Sequence, residues 1–135
     1  MKTSTSHTAD LPQDQETLKK DETFSLISAD MVQGTNIYNR NGDDLGSVDD
    51  LMIDKRSGKV AYAVVTYGGF LGMGAERRAL PWGVLTYDTE LGGYVVGAED
   101  DALRAAPAGV SERDFRDPDW GRRVYGHFGV PPYWV

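Results

Sequence analysis

Five aspartates, Asp43, Asp44, Asp49, Asp50 and Asp54, crowd one short stretch and are the first candidates for chemistry. Asn39, Asn41 and Asp43 show the one-three-five spacing of a calcium loop. Such a loop needs Gly at its sixth position and Glu at its twelfth, where this chain has Asp44 and Asp50. Acid–base work by two of the carboxylates would need a pocket that raises one pKa, and the sequence signals none. A solvated turn and strand face is the expected reading.

The other chemistry-bearing patterns are incomplete. Gly68–Gly74 contains four glycines, but not the Gly-x-Gly-x-x-Gly order, and no Gly-Lys-Ser/Thr follows. Its bulky residues Phe70, Leu71 and Met73 fit an apolar flap better than a phosphate cradle. Arg77 and Arg78 beyond it stand on opposite faces if they lie on a strand. No Gly-x-Ser-x-Gly elbow occurs, and the two histidines, His7 and His127, lie in opposite tails. With no cysteine at all, disulfides, thiolate metal sites and cysteine nucleophiles are excluded. The chain is expected to be non-enzymatic, with no cofactor and no metal.

Charge narrows the partners. The formal net charge is −7, and no segment is strongly basic, so a nucleic-acid backbone is not an expected partner. Trp82, Tyr62, Tyr67, Tyr87 and Tyr94 could offer bases a stacking platform, but they lack interleaved cations and read as core and rim packing. No run approaches the roughly 20 apolar residues of a membrane helix, and Met1–Glu22 has no apolar signal core. The expectation is a cytoplasmic protein without membrane insertion.

These residues must be positioned by short strands and tight turns. Asn39–Gly42, Lys55–Gly58 and Leu91–Gly93 punctuate apolar alternation with residues that tolerate positive φ. Strands are predicted over Thr35–Tyr38, Leu45–Ile53, Val60–Tyr67, Arg77–Trp82, Val84–Tyr87 and Gly93–Val96. The alternation slips between Val48 and Leu51, which predicts a β-bulge at Asp49-Asp50. The near-continuous β-branched and aromatic run Val60–Tyr67 predicts a strand at the centre of a barrel. One helical turn is expected after Ser28 and another over Glu99–Ala105. Residues 1–23 are polar and read as a disordered arm.

The C-terminal part, residues 108–135, changes character. Asp117 and Pro118 form a strong helix start, and Gly129 a stop. Trp120, Val124 and Phe128 recur at i, i+4 and i+8 on one helix face, and Tyr133 and Trp134 follow a Pro131-Pro132 spacer. So many aromatics cannot remain loose. They either cap the chain's own barrel or clasp a second subunit.

Leu45–Asp54, Ser57–Val65, Gly68–Gly72, Leu80-Pro81-Trp82, Thr86-Tyr87-Asp88 and Leu91–Val95 together resemble the PRC-barrel family, with residues 24–107 as its domain. The resemblance implies a small, mainly β, mostly antiparallel barrel of about six strands. Family members occur in the photosynthetic reaction-centre H subunit, in a ribosome maturation factor and as stand-alone bacterial proteins. The stand-alone type implies a non-catalytic interaction or assembly module. Self-association as a homodimer is expected through Phe70, Leu71, Met73, Trp120, Val124, Phe128, Tyr133 and Trp134. The alternatives are a small-molecule binder with a pocket under the Gly68–Gly74 flap and a ribosome- or RNA-associated factor.

Overall fold

The computed structural model describes residues 25–68 and 74–135. The predicted arm over residues 1–23, and Phe70, Leu71 and Met73 of the flap, lie outside the described residues. Six strands form one curled sheet: β1 (Asn36–Tyr38), β2 (Asp44–Ile53), β3 (Val60–Tyr67), β4 (Glu76–Pro81), β5 (Leu85–Asp88) and β6 (Gly93–Val96). Their order is β4-β3-β2-β1-β6-β5, antiparallel throughout except for the parallel pair β1–β6. The strands β4 and β5 thus stand at opposite edges, yet only the 3₁₀ turn Trp82–Val84 separates them in sequence. That short link forces the sheet to curl into a half-barrel. Pro81 sits on an edge strand, where a missing N–H costs least.

The predicted bulge is present. Val48 pairs with Val65 and Asp50 with Val64, which leaves Asp49 as the extra residue. The slip keeps both Val48 and Leu51 on the inner core while Met52 packs on the opposite side. Asp49 turns outward, where its Oδ2 accepts hydrogen bonds from the Thr66 hydroxyl and from Arg77 Nε at 3.2 Å, lacing three strands together.

The inner core holds Ile37, Val48, Ala63, Val65, Leu80 and Val96. Two short helices close it. Helix α1 (Ala29–Val32) is capped by Ser28, whose side chain accepts from Met31 N, and it buries Val32. Helix α2 (Asp100–Arg104) buries Leu103, whose carbonyl accepts from the Tyr67 hydroxyl at 3.3 Å.

Gly46 lies against the backbone of β3 with no room for a side chain. A Cβ built there would lie 2.0 Å from the Thr66 carbonyl oxygen and 2.8 Å from the Tyr67 Cα. Both atoms are backbone, so no rotamer change relieves the clash. Gly46→Ala is expected to cost roughly 3 kcal/mol, at the upper end for overpacking. Urea denaturation checks this: the midpoint should fall while the slope stays constant.

Two further helices, α3 (Glu112–Arg116) and α4 (Pro118–Phe128), cover the outer face of β3 and β4. Helix α3 was not predicted from the sequence. It starts with a capping box in which Ser111 and Asp114 satisfy each other's backbone amides. The strand β3 is therefore covered on both faces, by the core inside and by α4 outside, and this is why its sequence does not alternate.

Candidate interaction surface

The surface is built from the C-terminal helix upward. Asp117 accepts from Asp119 N at 2.9 Å, Pro118 occupies the first turn, and Gly129 closes the helix with φ 68°. Helix α4 buries Trp120, Gly121, Val124 and Tyr125 against Ala61, Tyr62 and Ala79. Tyr125 donates to the Ala61 carbonyl at 2.5 Å, and Trp120 Nε1 donates to the Ala108 carbonyl at 2.9 Å. A Cβ on Gly121 would come within 3.1 Å of the Tyr62 hydroxyl, so glycine lets the helix approach the sheet closely. The extension caps its own sheet.

Beyond Gly129 the chain runs through Pro131-Pro132 to a turn at Tyr133-Trp134. Tyr133 then meets Tyr62 edge-on, with ring centroids 5.8 Å apart, and Trp134 meets Tyr125 at 5.1 Å. Phe115 of α3 completes the array at 5.5 Å from Tyr62 and 5.2 Å from Trp120. Such tilted and edge-to-face pairs match the ring quadrupoles.

Two adjoining depressions remain open beside this array. One, of about 230 Å³, is lined by Tyr62, Phe115, Arg116, Pro118, Tyr133 and Trp134, among others. The other, of about 350 Å³, is lined by Met52, Ile53, Lys55, Arg56, Tyr62, Phe115 and Tyr133, among others. They share Tyr62, Phe115 and Tyr133 and so form one groove between the β2–β3 hairpin and the extension. Ile53 (51 % exposed) and Trp134 (46 % exposed) belong to its two ends and are two of the four large apolar side chains exposed among the described residues.

The structure thus redistributes the predicted interface residues. Trp120 and Val124, 2 % and 0 % exposed, are consumed by the chain's own core, and Phe128 is half-buried against both clusters. Tyr133 and Trp134 do line the open groove. Sequence reading missed Ile53, Tyr62 and Phe115 as its other walls. Only the Ser111-x-x-Asp114 capping pattern could have placed Phe115 on a helix.

The aspartates are occupied locally. Asn39 and Asp43 bond each other across a tight turn, and Asp44 accepts from Asn36 and from Gly46 N. Asp50 accepts from Gln33. The Ser57 hydroxyl, donating at 2.7 Å, holds the Asp54 carboxyl below its usual range. Among the described residues no group of three or more His, Cys, Asp or Glu is placed to hold a metal. Trp82, Tyr87 and Tyr94 pack edge-to-face on the inner core, so they present no stacking platform.

At the foot of the 69–73 segment lies a depression of about 390 Å³, whose lining includes Asp44, Leu45, Tyr67, Glu76, Asp100 and Arg104. Arg78 points inward beside it, with its guanidinium 6.0 Å from the Tyr67 ring centre and donating to Glu76 at 2.6 Å. Arg77 points outward to Asp49, as adjacent strand residues must.

Burial pushes the Tyr62 and Tyr125 hydroxyls well above the ordinary tyrosine pKa of 10.0. Below pH 10 both groups are protonated in either state and contribute no pH dependence. Above it the unfolded chain ionises more readily than the folded one, so stability falls as pH rises. Tyrosinate absorbance at 295 nm should therefore gain a late component that appears only together with loss of the fold.

The sequence matches the PRC-barrel domain family over residues 25–102, more than half of the chain. This chain belongs to the PRC-barrel family. The family match ends within α2, so the PRC-barrel domain supplies one wall of the groove and residues outside the match supply the other. Among solved structures, this PRC-barrel chain is similar to a protein described as the 16S ribosomal RNA processing protein RimM of Pseudomonas aeruginosa. The two are 20% identical with a TM-score of 0.39, over 56% of this chain and 45% of that one. The chain spans less than half the length of that protein. None of the curated proteins matches it. Among the described residues no helix is long and apolar enough to cross a membrane.

Proposed function

We propose that this PRC-barrel chain is a non-catalytic cytoplasmic interaction module that binds through the groove between its β2–β3 hairpin and its C-terminal extension. One observation carries the reading: an open floor of Tyr62, Phe115 and Tyr133 with exposed Ile53 and Trp134 at its ends. Exposed apolar side chains gathered around one depression mark a contact surface. The carboxylates that might have done chemistry instead hold turns and strands together, which supports a role without catalysis. Association with a second copy is one form this interaction can take.

The test compares the full chain with an Ile53→Ser/Trp134→Ser double variant, whose changes are too exposed to unfold it. Light scattering reads oligomeric mass, and affinity capture reads other partners. The double variant should lose whichever association the parent shows. If the two proteins behave alike in both assays, the groove is not the binding surface.

A second reading, a small-molecule carrier, is favoured by the depression at the foot of the 69–73 segment. Native mass spectrometry distinguishes it, because a retained ligand lost in an Arg104→Ala variant would support the carrier. Co-sedimentation with ribosomes tests the remaining RNA-associated alternative.

A further inference from the structure

We infer that the groove takes an extended acidic peptide segment of another protein, with apolar side chains on Tyr62, Phe115 and Tyr133 and carboxylates among Lys55, Arg56, Arg116 and Arg122. The inference deepens the interaction-module reading and rests on it.

Charge is the first argument. The whole chain is acidic at −7, yet the groove is lined by four cations and two carboxylates. Both carboxylates are engaged, Asp54 by the Ser57 hydroxyl and Asp117 as the cap of α4. Lys55 and Arg56 have no carboxylate within salt-bridge distance among the described residues. Arg116 and Arg122 pair only with Glu112 and Asp119 on their own helices, and every member of those pairs is more than half exposed. Exposed pairs of this kind exchange readily for a better acceptor.

Hydrogen bonding is the second argument. The hydroxyls of Tyr62 and Tyr133 have no hydrogen-bond partner among the described residues, so both are free to donate to a carboxylate or a peptide carbonyl.

Shape is the third. Two linked depressions of about 350 and 230 Å³ have room for a few side chains each, as an extended segment would present them. Nucleic acid fits less well. The Tyr62 and Tyr133 rings stand 68° apart, which leaves no parallel faces for bases.

The experiment pans a random dodecapeptide display library on the full chain, then measures anisotropy of the enriched peptides, synthesised with a fluorophore. Enriched peptides should place Asp or Glu beside an aromatic, leucine or proline. Their affinity should fall at least tenfold in a Lys55→Glu/Arg56→Glu variant and in Trp134→Ser, both variants still unfolding cooperatively. Peptides that lack acids, bind through Trp134 and ignore the charge reversal would overturn the acidic partner and leave the interaction module standing. No groove-dependent peptide, with a dimer that dissociates in the Ile53→Ser/Trp134→Ser variant, would also overturn it and make a second copy the occupant. Poly-uridine binding abolished by the charge reversal, without any peptide, would overturn the inference and the module reading together.

Discussion

Ending the chain after Ala108 should destroy most of its stability. That cut removes Trp120, Val124 and Tyr125 and uncovers the outer face of β3, where Tyr62 and Val64 are 4 % and 3 % exposed in the full chain. Each lost apolar side chain contributes about 1.5–3 kcal/mol, so the total loss is roughly 5 kcal/mol or more. Domains of this size rest on a margin of about 5–15 kcal/mol. The truncated chain is therefore expected to be unfolded or aggregated at 25 °C, as read by circular dichroism and light scattering. A truncated chain that melts cooperatively at the parent's temperature would show that the extension adds nothing to the fold.

Trp120→Ala makes the same point with a single residue. The indole packs on Tyr62 at 5.4 Å and on Phe115 at 5.2 Å, and its Nε1–H satisfies the Ala108 carbonyl. Replacing it leaves a cavity beneath α4 and removes that hydrogen bond, at a cost of about 3–5 kcal/mol. Trp134→Ala is the contrast, since that ring is nearly half exposed and should cost well under half as much. Equal losses at the two positions would mean that Trp120 is not the buried member of the array.

Much of this architecture was legible in the sequence. Turn glycines, the slip at Asp49, the Ser28 and Asp117 caps and the stop at Gly129 all act within a few residues, so local rules reach them. The family motifs then implied the mostly antiparallel six-stranded barrel. The candidate surface was harder to read, because its parts come from distant segments. An apolar helix face says that Trp120 and Val124 are buried, but not against what. The uninterrupted Val60–Tyr67 run held the answer, since a strand covered on both sides needs something outside the barrel, and α4 is that element. Tyr125 falls outside the i, i+4, i+8 series yet is 5 % exposed, because α4 lies flat enough on the sheet to bury a second stripe. Phe115 escaped notice because α3 is only five residues long and its capping box uses Asp114 where Glu or Gln is usual.

The central claim is that the extension folds onto its own sheet and there builds the groove. An isotope-filtered NOE experiment tests it most directly, on a sample refolded from equal parts of ¹³C-labelled and unlabelled chain. Ring contacts from Tyr62 to Trp120, Phe115 and Tyr133 should appear only within labelled molecules. The same contacts crossing between labelled and unlabelled molecules would contradict the account, because the extension would then belong to a neighbouring subunit's sheet.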